Sequence, residues 1–336
     1  LVAALSAVLG VLYALVENDL KKLLAYSSVE NVGIILLGVG AAMLFQTYHL
    51  AGLASVALVA ALYHALNHTV FKSLLFMGAG AILQATHTRN MEKMGGLIKG
   101  MPHTAACFLV GSVAIAALPP FNGFISEWLT FQALLLSFQI FAPATNLIFA
   151  LAIAALALTS GLAAACFVRA FGITFLALPR SQPADHAREV GGIMRAAMLI
   201  PAIGCVILGV APVGILPILN ATTIALIGAP SQINWSWNSI VAGNGFATVS
   251  PLWIGVALTG LLAAVPLALW TFGANRCRRS YETWGCGRLL QTWRFEYTAT
   301  AFANPFKRVF RLVYRPVKEL EIEFHPESRF FVRTIA

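Results

Sequence analysis

Three ionisable side chains recur at a spacing of four residues within one long apolar segment. In the string YHALNHTVFKSLLF, His64, His68 and Lys72 lie at positions i, i+4 and i+8. This spacing stacks the three side chains on one face of a helix, about 6 Å apart. Imidazole gains or loses a proton near neutral pH, and burial favours the neutral amine of lysine. The column therefore predicts a proton relay in which water molecules bridge the gaps.

Two other interpretations of the column stay open. Polar side chains hold membrane helices together, so the column could be a structural seam. A His-x3-His pair also has zinc-site spacing, but HALNH lacks the glutamate of a metalloprotease helix and has no obvious third ligand. None of the five cysteines forms a CxxC pair, which leaves zinc, iron–sulfur and disulfide frameworks without support. We expect no metal, no cofactor and no catalytic residue in this chain.

A carboxylate follows a predicted helix break in the string ALPPFNGFISEW. Pro119 and Pro120 remove amide donors and Gly123 adds backbone freedom, so a discontinuous helix is expected, with a simple kink as the alternative. Glu127 comes shortly after the break, where the free amides and dipole of a restarting helix favour negative charge. It could hold a proton or pair with Lys72. The alternative is an ordinary acidic residue near the membrane surface.

Four further charged residues lie within or beside apolar segments. Glu30 lies about 12 Å along a helix from Lys22, well below the surface if the helix starts there. It either extends the proton path or pairs with a buried cation. Lys21 and Lys22 are most simply anchors at the membrane surface, although Lys22 stays a candidate for the path. Arg169 either extends toward the surface or faces the relay.

The elements that position these groups are predicted to be hydrophobic helices in a lipid bilayer. Hydrophobic residues make up 59% of the chain and charged residues only 10%, whereas a soluble domain carries about 25% charged residues. We predict an all-α, polytopic transmembrane helix bundle of about seven spans, one of them discontinuous. The apolar runs that define these spans are 1–16, 22–44, 51–86, 103–142, 145–178, 191–215 and 251–274.

Charges in the connecting loops predict the orientation. The loops after the first, third and fifth runs and the C-terminal tail are charged, whereas the loops near 45–50, 141–146 and 216–250 carry no Lys, Arg, Asp or Glu. Positively charged loops stay in the cytoplasm, so the tail should be cytoplasmic. The long loop 216–250, with Trp235 and Trp237, should lie on the outer face. The net charge of +9 then reports topology and requires no nucleic acid.

Composition changes near residue 274. We predict a transmembrane bundle over 1–274 and a basic, amphipathic cytoplasmic tail over 275–336. The stretch from Phe302 to Glu323 predicts an amphipathic helix interrupted at Pro316, which lies on the membrane or against a partner subunit. The chain opens with Leu1 inside an apolar run and shows no signal peptide. This favours a chain that lacks its N-terminal part, with cleavage as the alternative.

Four strings, in order, resemble one family. They are DLKKLLAYSSVENVG (19–33), HALNHTVFKSLLFMGAG (64–80), MEKMGGL (91–97) and ALPPFNGFISEW (117–128). Over roughly residues 1–200 the chain resembles the antiporter-like, proton-translocating membrane subunits shared by respiratory complex I, group 4 membrane hydrogenases and Mrp-type cation/proton antiporters. The VENVGIILLG string, Glu127 and the tail resemble most the large antiporter-like subunit of the formate-hydrogenlyase (hydrogenase-4) type.

The resemblance implies a fold of fourteen core helices in two inverted repeats, each with one broken helix. This chain would begin near the ninth helix and hold most of the second repeat. The implied proton path includes His64, His68, Lys72 and Glu127. The implied setting is a bacterial inner membrane, with other membrane subunits and a peripheral iron–sulfur hydrogenase or dehydrogenase arm as partners. An Mrp-type antiporter subunit driven by an ion gradient and a purely structural membrane anchor are the alternatives.

Overall fold

The computed structural model describes residues 1–243, 245–273, 296–315, 319–325 and 328–335, the last two ranges as backbone only. Helices dominate these residues, and every predicted apolar run contains at least one. The helices of the first two hundred residues are α1 Val2–Val16, α2 Leu20–Thr47, α3 Ala51–Thr86, α4 Leu97–Gly100, α5 Pro102–Ile115, α6 Asn122–Leu135, α7 Pro143–Phe175 and α8 Gln182–Asp185. The later helices are α9 Gly192–Val210, α10 Leu216–Ile227, α11 Pro251–Thr271, α12 Ala299–Val309 and α13 Arg311–Tyr314. Short 3-10 helices cover Met91–Lys93, Leu136–Gln139 and Pro212–Gly214.

Within the described ranges, five helices are long and apolar enough to cross a membrane: α2, α3, α7, α9 and α11. Helices α1, α5 and α10 are apolar but shorter. The predicted polytopic helix bundle is thereby confirmed, and the number of crossings stays a prediction. Proline opens α5, α7 and α11, where its fixed φ suits a helix and its missing amide needs no partner.

The predicted helix break is present. Helix α5 ends at Ile115 and α6 begins at Asn122, with Pro119 and Pro120 between them. The role predicted for Gly123 was wrong, because its backbone is helical and what it provides is space. A Cβ at Gly123 would lie 1.9 Å from the carbonyl oxygen of Ala114, so only glycine lets the two half-helices approach this closely.

Helix α3 is the centre of the bundle. It packs against α2, α5, α6, α9 and α10, and α1 packs against α2 and α7. Helix α9 supports the break, because a Cβ at Gly209 would lie 2.2 Å from the carbonyl oxygen of Pro120. The groups carried by α3 therefore face α2 on one side and the broken helix on another.

The charged loops gather at one end of the bundle. The amide of Leu20 donates to the carbonyl of Arg89 at 2.9 Å, which joins the loop after α1 to the loop after α3. The amide of Gly96 donates to the carbonyl of Leu176 at 2.8 Å and joins the loop after α7. We refer to this side as the charged end.

The loops without charged residues gather at the opposite end. The hydroxyls of Tyr48 and Thr145 lie 2.7 Å apart, and Ser55 donates to the carbonyl of Ala229 at 2.7 Å. The grouping of loops in space matches the alternation of charge along the sequence.

The segment 216–250 is not a plain loop, so that prediction was wrong. It contains the apolar helix α10, which ends where Gly228 takes a positive φ of 83°. It also contains a three-stranded antiparallel sheet of β1 Ile233–Trp235, β2 Ile240–Ala242 and β3 Ala247–Val249. A 12-residue helix is too short to register as a membrane run, which is why its pattern was missed.

The tail helix is shorter than predicted, and the tail is not all-α. The helix predicted over Phe302–Glu323 is replaced by α12 and α13, which end at Tyr314, where Arg315 takes a left-handed conformation. Pro316 lies outside the described residues. Strands β4 Glu319–His325 and β5 Ser328–Ile335 then form an antiparallel pair. Helix α12 packs against α1 and α7 of its own chain.

Candidate functional site

His64 lies at the meeting point of α2, α3 and α6. Its side chain is buried, with 1% of its surface exposed. Its Nδ1 lies 3.0 Å from the hydroxyl of Ser126 on α6, and its Nε2 lies 3.2 Å from Oδ1 of Asn31 on α2. Both ring nitrogens therefore have a polar partner on a neighbouring helix.

Lys72 lies two turns along α3 and is also buried. Its ammonium donates to the carbonyl of Leu24 at 2.8 Å and to the hydroxyl of Ser27, both on α2. The side chain of Asn31 donates to the carbonyl of Ser27 at 2.8 Å. Lys72 and His64 are thus linked through two residues of α2. Lys72 binds the hydroxyl of Ser27, the backbone carbonyl of Ser27 accepts from Asn31, and Asn31 contacts His64.

His68 lies between these two groups on α3 but makes different contacts. Its ring packs edge-on against Phe71, with ring centroids 5.7 Å apart. Its Nε2 is buried and has no hydrogen-bond partner within the described part of the chain. A buried imidazole nitrogen without a partner is a position where a water molecule would be stabilised.

Two carboxylates approach the column from other helices. Glu30 of α2 is 1% exposed, and its Oε2 has no hydrogen-bond partner among the described residues. Glu127 of α6 is 4% exposed and accepts a hydrogen bond of 2.6 Å from the hydroxyl of Ser160 on α7. Glu30 lies close enough to Lys72 and Glu127 to interact electrostatically with both.

Glu127 differs in two respects from the sequence-based expectation. It lies in the second turn of α6 and not at the free amides of the helix start. It also forms no direct ion pair with Lys72 in the described structure, because Lys72 is bound to Leu24 and Ser27. Its burial excludes the alternative of an ordinary surface carboxylate.

Sequence reasoning missed the amides and hydroxyls that connect the ionisable groups. Asn67 donates to the backbone carbonyl of Asn122 at 2.9 Å, and the side chain of Asn122 donates back to Oδ1 of Asn67 at 3.2 Å. The helical spacing of Asn67 from His64, three residues, was a signal that could have found it. Asn31, Ser27 and Ser126 carry no such signal, since the ionisable groups that they contact lie on another helix.

Lys22 and Arg169 lie at the charged end. Lys22 is exposed in the first turn of α2, where its backbone amide donates to the capping carboxylate of Asp19. Arg169 is buried, and its guanidinium turns away from the column. It donates to the carbonyls of Ala299 and Glu17 and to Oδ1 of Asn18. It thereby joins α7 to the turn after α1 and to α12.

Other contacts hold the tail helices at the same end. The amide and hydroxyl of Thr300 both donate to Glu92, each at 2.6 Å. The hydroxyl of Tyr314 donates to the carbonyl of Leu12, and burial raises the pKa of Tyr314. We refer to residues 296–315 as the tail segment.

In the described ranges, His, Cys, Asp and Glu side chains form no group of three or more that could hold a metal ion. The His64 and His68 pair therefore has no third ligand from this chain within those ranges. What the arrangement offers chemically is a buried column of groups that accept and release protons.

Comparison with known proteins places this architecture among respiratory and antiporter membrane subunits. Residues 1–154 match the family model described as NADH:quinone oxidoreductase/Mrp antiporter, TM. Hydrogenase-4 component B of Escherichia coli is 42% identical over 334 residues, which cover 98% of this chain and 48% of that protein. Formate hydrogenlyase subunit 3 of the same organism is 36% identical, with 96% of this chain and 50% of that protein covered.

A solved structure has the same fold. A chain of the membrane-bound sulfane sulfur reductase, an archaeal respiratory membrane complex, superposes with a TM-score of 0.71 at 23% identity, covering 94% of this chain and 47% of that one. This chain spans about half the length of the relatives it matches. It is an antiporter-like membrane subunit, homologous to hydrogenase-4 component B and to the subunits of NADH:quinone oxidoreductases and Mrp antiporters.

Proposed function

We propose that this chain is a proton-translocating membrane subunit of a multi-subunit redox complex. The observation that carries the proposal is a buried polar link between Lys72 and His64. Lys72 binds the hydroxyl of Ser27, the backbone carbonyl of Ser27 accepts from Asn31, and His64 contacts both Asn31 and Ser126. Every member is buried, so a charge placed on one group acts on its neighbours through a medium that screens poorly.

The proposed mechanism assigns separate tasks to the ionisable groups. Lys72 and His64 gain and lose protons in turn, with water molecules as the carriers, and His68 holds one such water molecule between them. Glu30 and Glu127 supply negative charge, or take a proton, as the column changes charge. Electron transfer in a peripheral iron–sulfur hydrogenase or dehydrogenase arm would drive these changes, and this chain itself contributes no redox step.

We further propose a bacterial inner-membrane location with the charged end in the cytoplasm. The support is the positive-inside rule, since Arg89, Lys93, Lys99, Arg180 and Arg188 belong to loops that group at that end. The division into a bundle over 1–274 and a cytoplasmic tail over 275–336 follows from the same pattern. The partners are then other membrane subunits, which carry the connection to the peripheral arm.

The test is proton uptake by inverted membrane vesicles that contain the whole complex, comparing wild type with Glu127→Gln. We expect redox turnover to persist and proton uptake to collapse. Glu189→Gln serves as a matched control, because Glu189 caps α5 at the charged end, away from the column. Unchanged uptake in the Glu127 variant would contradict the relay and favour a structural anchor.

A cation/proton antiporter is the second candidate, because the matching family model includes Mrp antiporters. The same residues would then carry protons across the membrane in exchange for sodium ions, with an ion gradient as the driving force. Sodium-dependent proton exchange in vesicles without any redox substrate would favour this candidate. Its absence, with uptake strictly dependent on redox turnover, would favour the redox complex.

A further inference from the structure

The amide of Asn31 fixes where His64 carries its hydrogen. The carbonyl of Ser27 can only accept a hydrogen bond, so the group of Asn31 that lies 2.8 Å from it must be the NH₂. The oxygen Oδ1 therefore faces Nε2 of His64 at 3.2 Å. Because this oxygen can only accept, Nε2 bears a hydrogen whether the imidazole is neutral or charged.

A change of charge on His64 must then occur at Nδ1. This nitrogen lies 3.0 Å from the hydroxyl of Ser126. Next to a neutral ring, the hydroxyl has to donate to the lone pair of Nδ1. Next to a charged ring, Nδ1–H donates and the hydroxyl oxygen has to accept.

The hydroxyl of Ser126 has a second place for its single hydrogen. Its oxygen lies 3.1 Å from the carbonyl of Gly123 and 3.3 Å from that of Asn122, in the first turn of α6. The carbonyl of Asn122 already accepts from Asn67, so that of Gly123 is the better alternative. Because the hydroxyl of Ser126 has one hydrogen, it can donate either to Nδ1 or to the helix carbonyl, but not to both.

We propose that Ser126 is a positioning residue that senses the charge of His64 and transmits it to the helix break. When Nδ1 gains a proton, the hydroxyl turns from Nδ1 to the carbonyl of Gly123. In an α-helix that same carbonyl accepts the amide of Glu127, four residues on. Protonation of His64 therefore alters the hydrogen bonding of the turn that carries Glu127. The proton that Nδ1 gains comes from Lys72 by way of water in the proposed relay, and no proton leaves His64 when the hydroxyl rotates.

The inference rests on the proposed function, in which His64 changes its charge during turnover. His64 shares its buried region with His68 and Lys72 on its own helix, with Glu30 of α2 and with Glu127 of α6. The thiols on the neighbouring helices are Cys107 of α5, Cys166 of α7 and Cys205 of α9. Among all these side chains, the one that Ser126 contacts by hydrogen bond is His64.

The experiment measures redox-driven proton uptake in inverted vesicles of the whole complex with Ser126→Ala, Ser126→Thr and Ser112→Ala. Ser112 is a buried serine of α5 whose hydroxyl donates to its own helix at Phe108, so its variant controls for loss of a helix hydroxyl. We expect Ser126→Ala to slow uptake about tenfold with redox turnover retained, the effect of one hydrogen bond to a charged group. Ser126→Thr, which keeps the hydroxyl, should retain at least half of the wild-type rate, and Ser112→Ala should match wild type.

Wild-type uptake in Ser126→Ala would overturn the inference. Equal losses in Ser126→Ala and Ser126→Thr would also overturn it, because shape and not the hydroxyl would then matter. Equal losses in Ser126→Ala and Ser112→Ala would do the same. Glu127→Gln, measured in parallel, separates the two proposals. Loss of uptake there with no effect of Ser126→Ala refutes the sensor alone, whereas normal uptake in Glu127→Gln refutes the proton relay itself.

Discussion

Lys72 and Arg169 are both buried cations, yet they lie in regions of different construction. Lys72 is in the middle of the bundle and binds one carbonyl and one hydroxyl, both on α2. Arg169 is at the charged end and binds three groups from two other segments, at Glu17 and Asn18 in the turn after α1 and at Ala299 in α12. The region around Lys72 is a column along which charge could move, whereas the contacts of Arg169 hold separate segments of the chain together.

The chemistry of the two side chains matches this difference. A guanidinium keeps its charge in a protein, and its planar set of five donors suits several fixed acceptors. An ammonium loses its proton far more readily when it is buried, and it needs fewer partners. The comparison teaches that burial alone does not identify a proton-carrying group. The number of segments that a cation joins separates the two roles.

The largest effect is expected from Lys72→Arg, which keeps the charge but prevents its loss. Proton uptake should fall by about a hundredfold or more, because a guanidinium cannot release its proton at working pH. Lys72→Ala should abolish uptake as well, with redox chemistry in the partners still measurable. The exposed Lys99→Ala is the control. Normal uptake in Lys72→Arg would show that Lys72 is a fixed charge like Arg169.

The next effect is expected from Arg169→Ala, and it should be on stability. The change leaves one buried carbonyl, one half-buried carbonyl and a half-buried amide oxygen without their donor, which costs about 3 kcal/mol in total. The tail segment should be cleaved faster by protease added at the charged end, and the melting temperature of the solubilised complex should fall. The exposed Arg195→Ala is the control. Loss of proton uptake at unchanged stability would instead move Arg169 into the column.

A smaller effect is expected from Glu92→Gln. Both donors of Thr300 keep an acceptor in this variant but lose its charge, which costs about 1 kcal/mol. The tail segment should therefore become moderately more sensitive to protease, with proton uptake unchanged. Sensitivity greater than that of Arg169→Ala would mean that Glu92, and not Arg169, is the main anchor of the tail.

The smallest effect concerns the pH dependence of stability at Glu189. Burial alone would raise the pKa of this carboxylate, but hydrogen bonds from Thr104, Val190 and His103 outweigh it and hold the pKa below its usual value. Its contribution is therefore fully present above the unfolded pKa of about 4.3, and it is lost as the pH falls through the lower folded pKa. Glu189→Gln should lower the melting temperature slightly at pH 7, and the difference from wild type should vanish in acid. A difference that persists in acid would contradict this origin.

The sequence was most informative where a pattern lies within one helix. The column of His64, His68 and Lys72 and the break at Pro119 and Pro120 depend on local spacing and on local backbone chemistry, so both could be predicted. The contacts of Asn31 and Ser126 depend on how α2 and α6 pack against α3. No period along the chain encodes such packing, which is why these residues were missed.

The prediction for the tail failed for a different reason, because a local pattern typical of a strand was assigned to a helix. Residues 319–324 alternate Glu with Leu, Ile and Phe, which is the period of a strand and not of a helix. The structure accordingly has β4 there. The helix prediction was sound as far as Tyr314, where the amphipathic pattern has a period near 3.6.

The end of the bundle without charged residues has a practical consequence for enzymatic mapping. Trypsin cuts after lysine and arginine, and residues 45–50, 141–146 and 216–250 contain neither. In sealed vesicles, trypsin should therefore cut the connecting loops of this chain only when the charged end faces the added enzyme. A protease that cuts at aromatic residues has sites at Tyr48, Phe141 and Trp237 in the loops of the opposite end. Digestion with each enzyme in turn therefore shows which end of the bundle faces the outside of the vesicle.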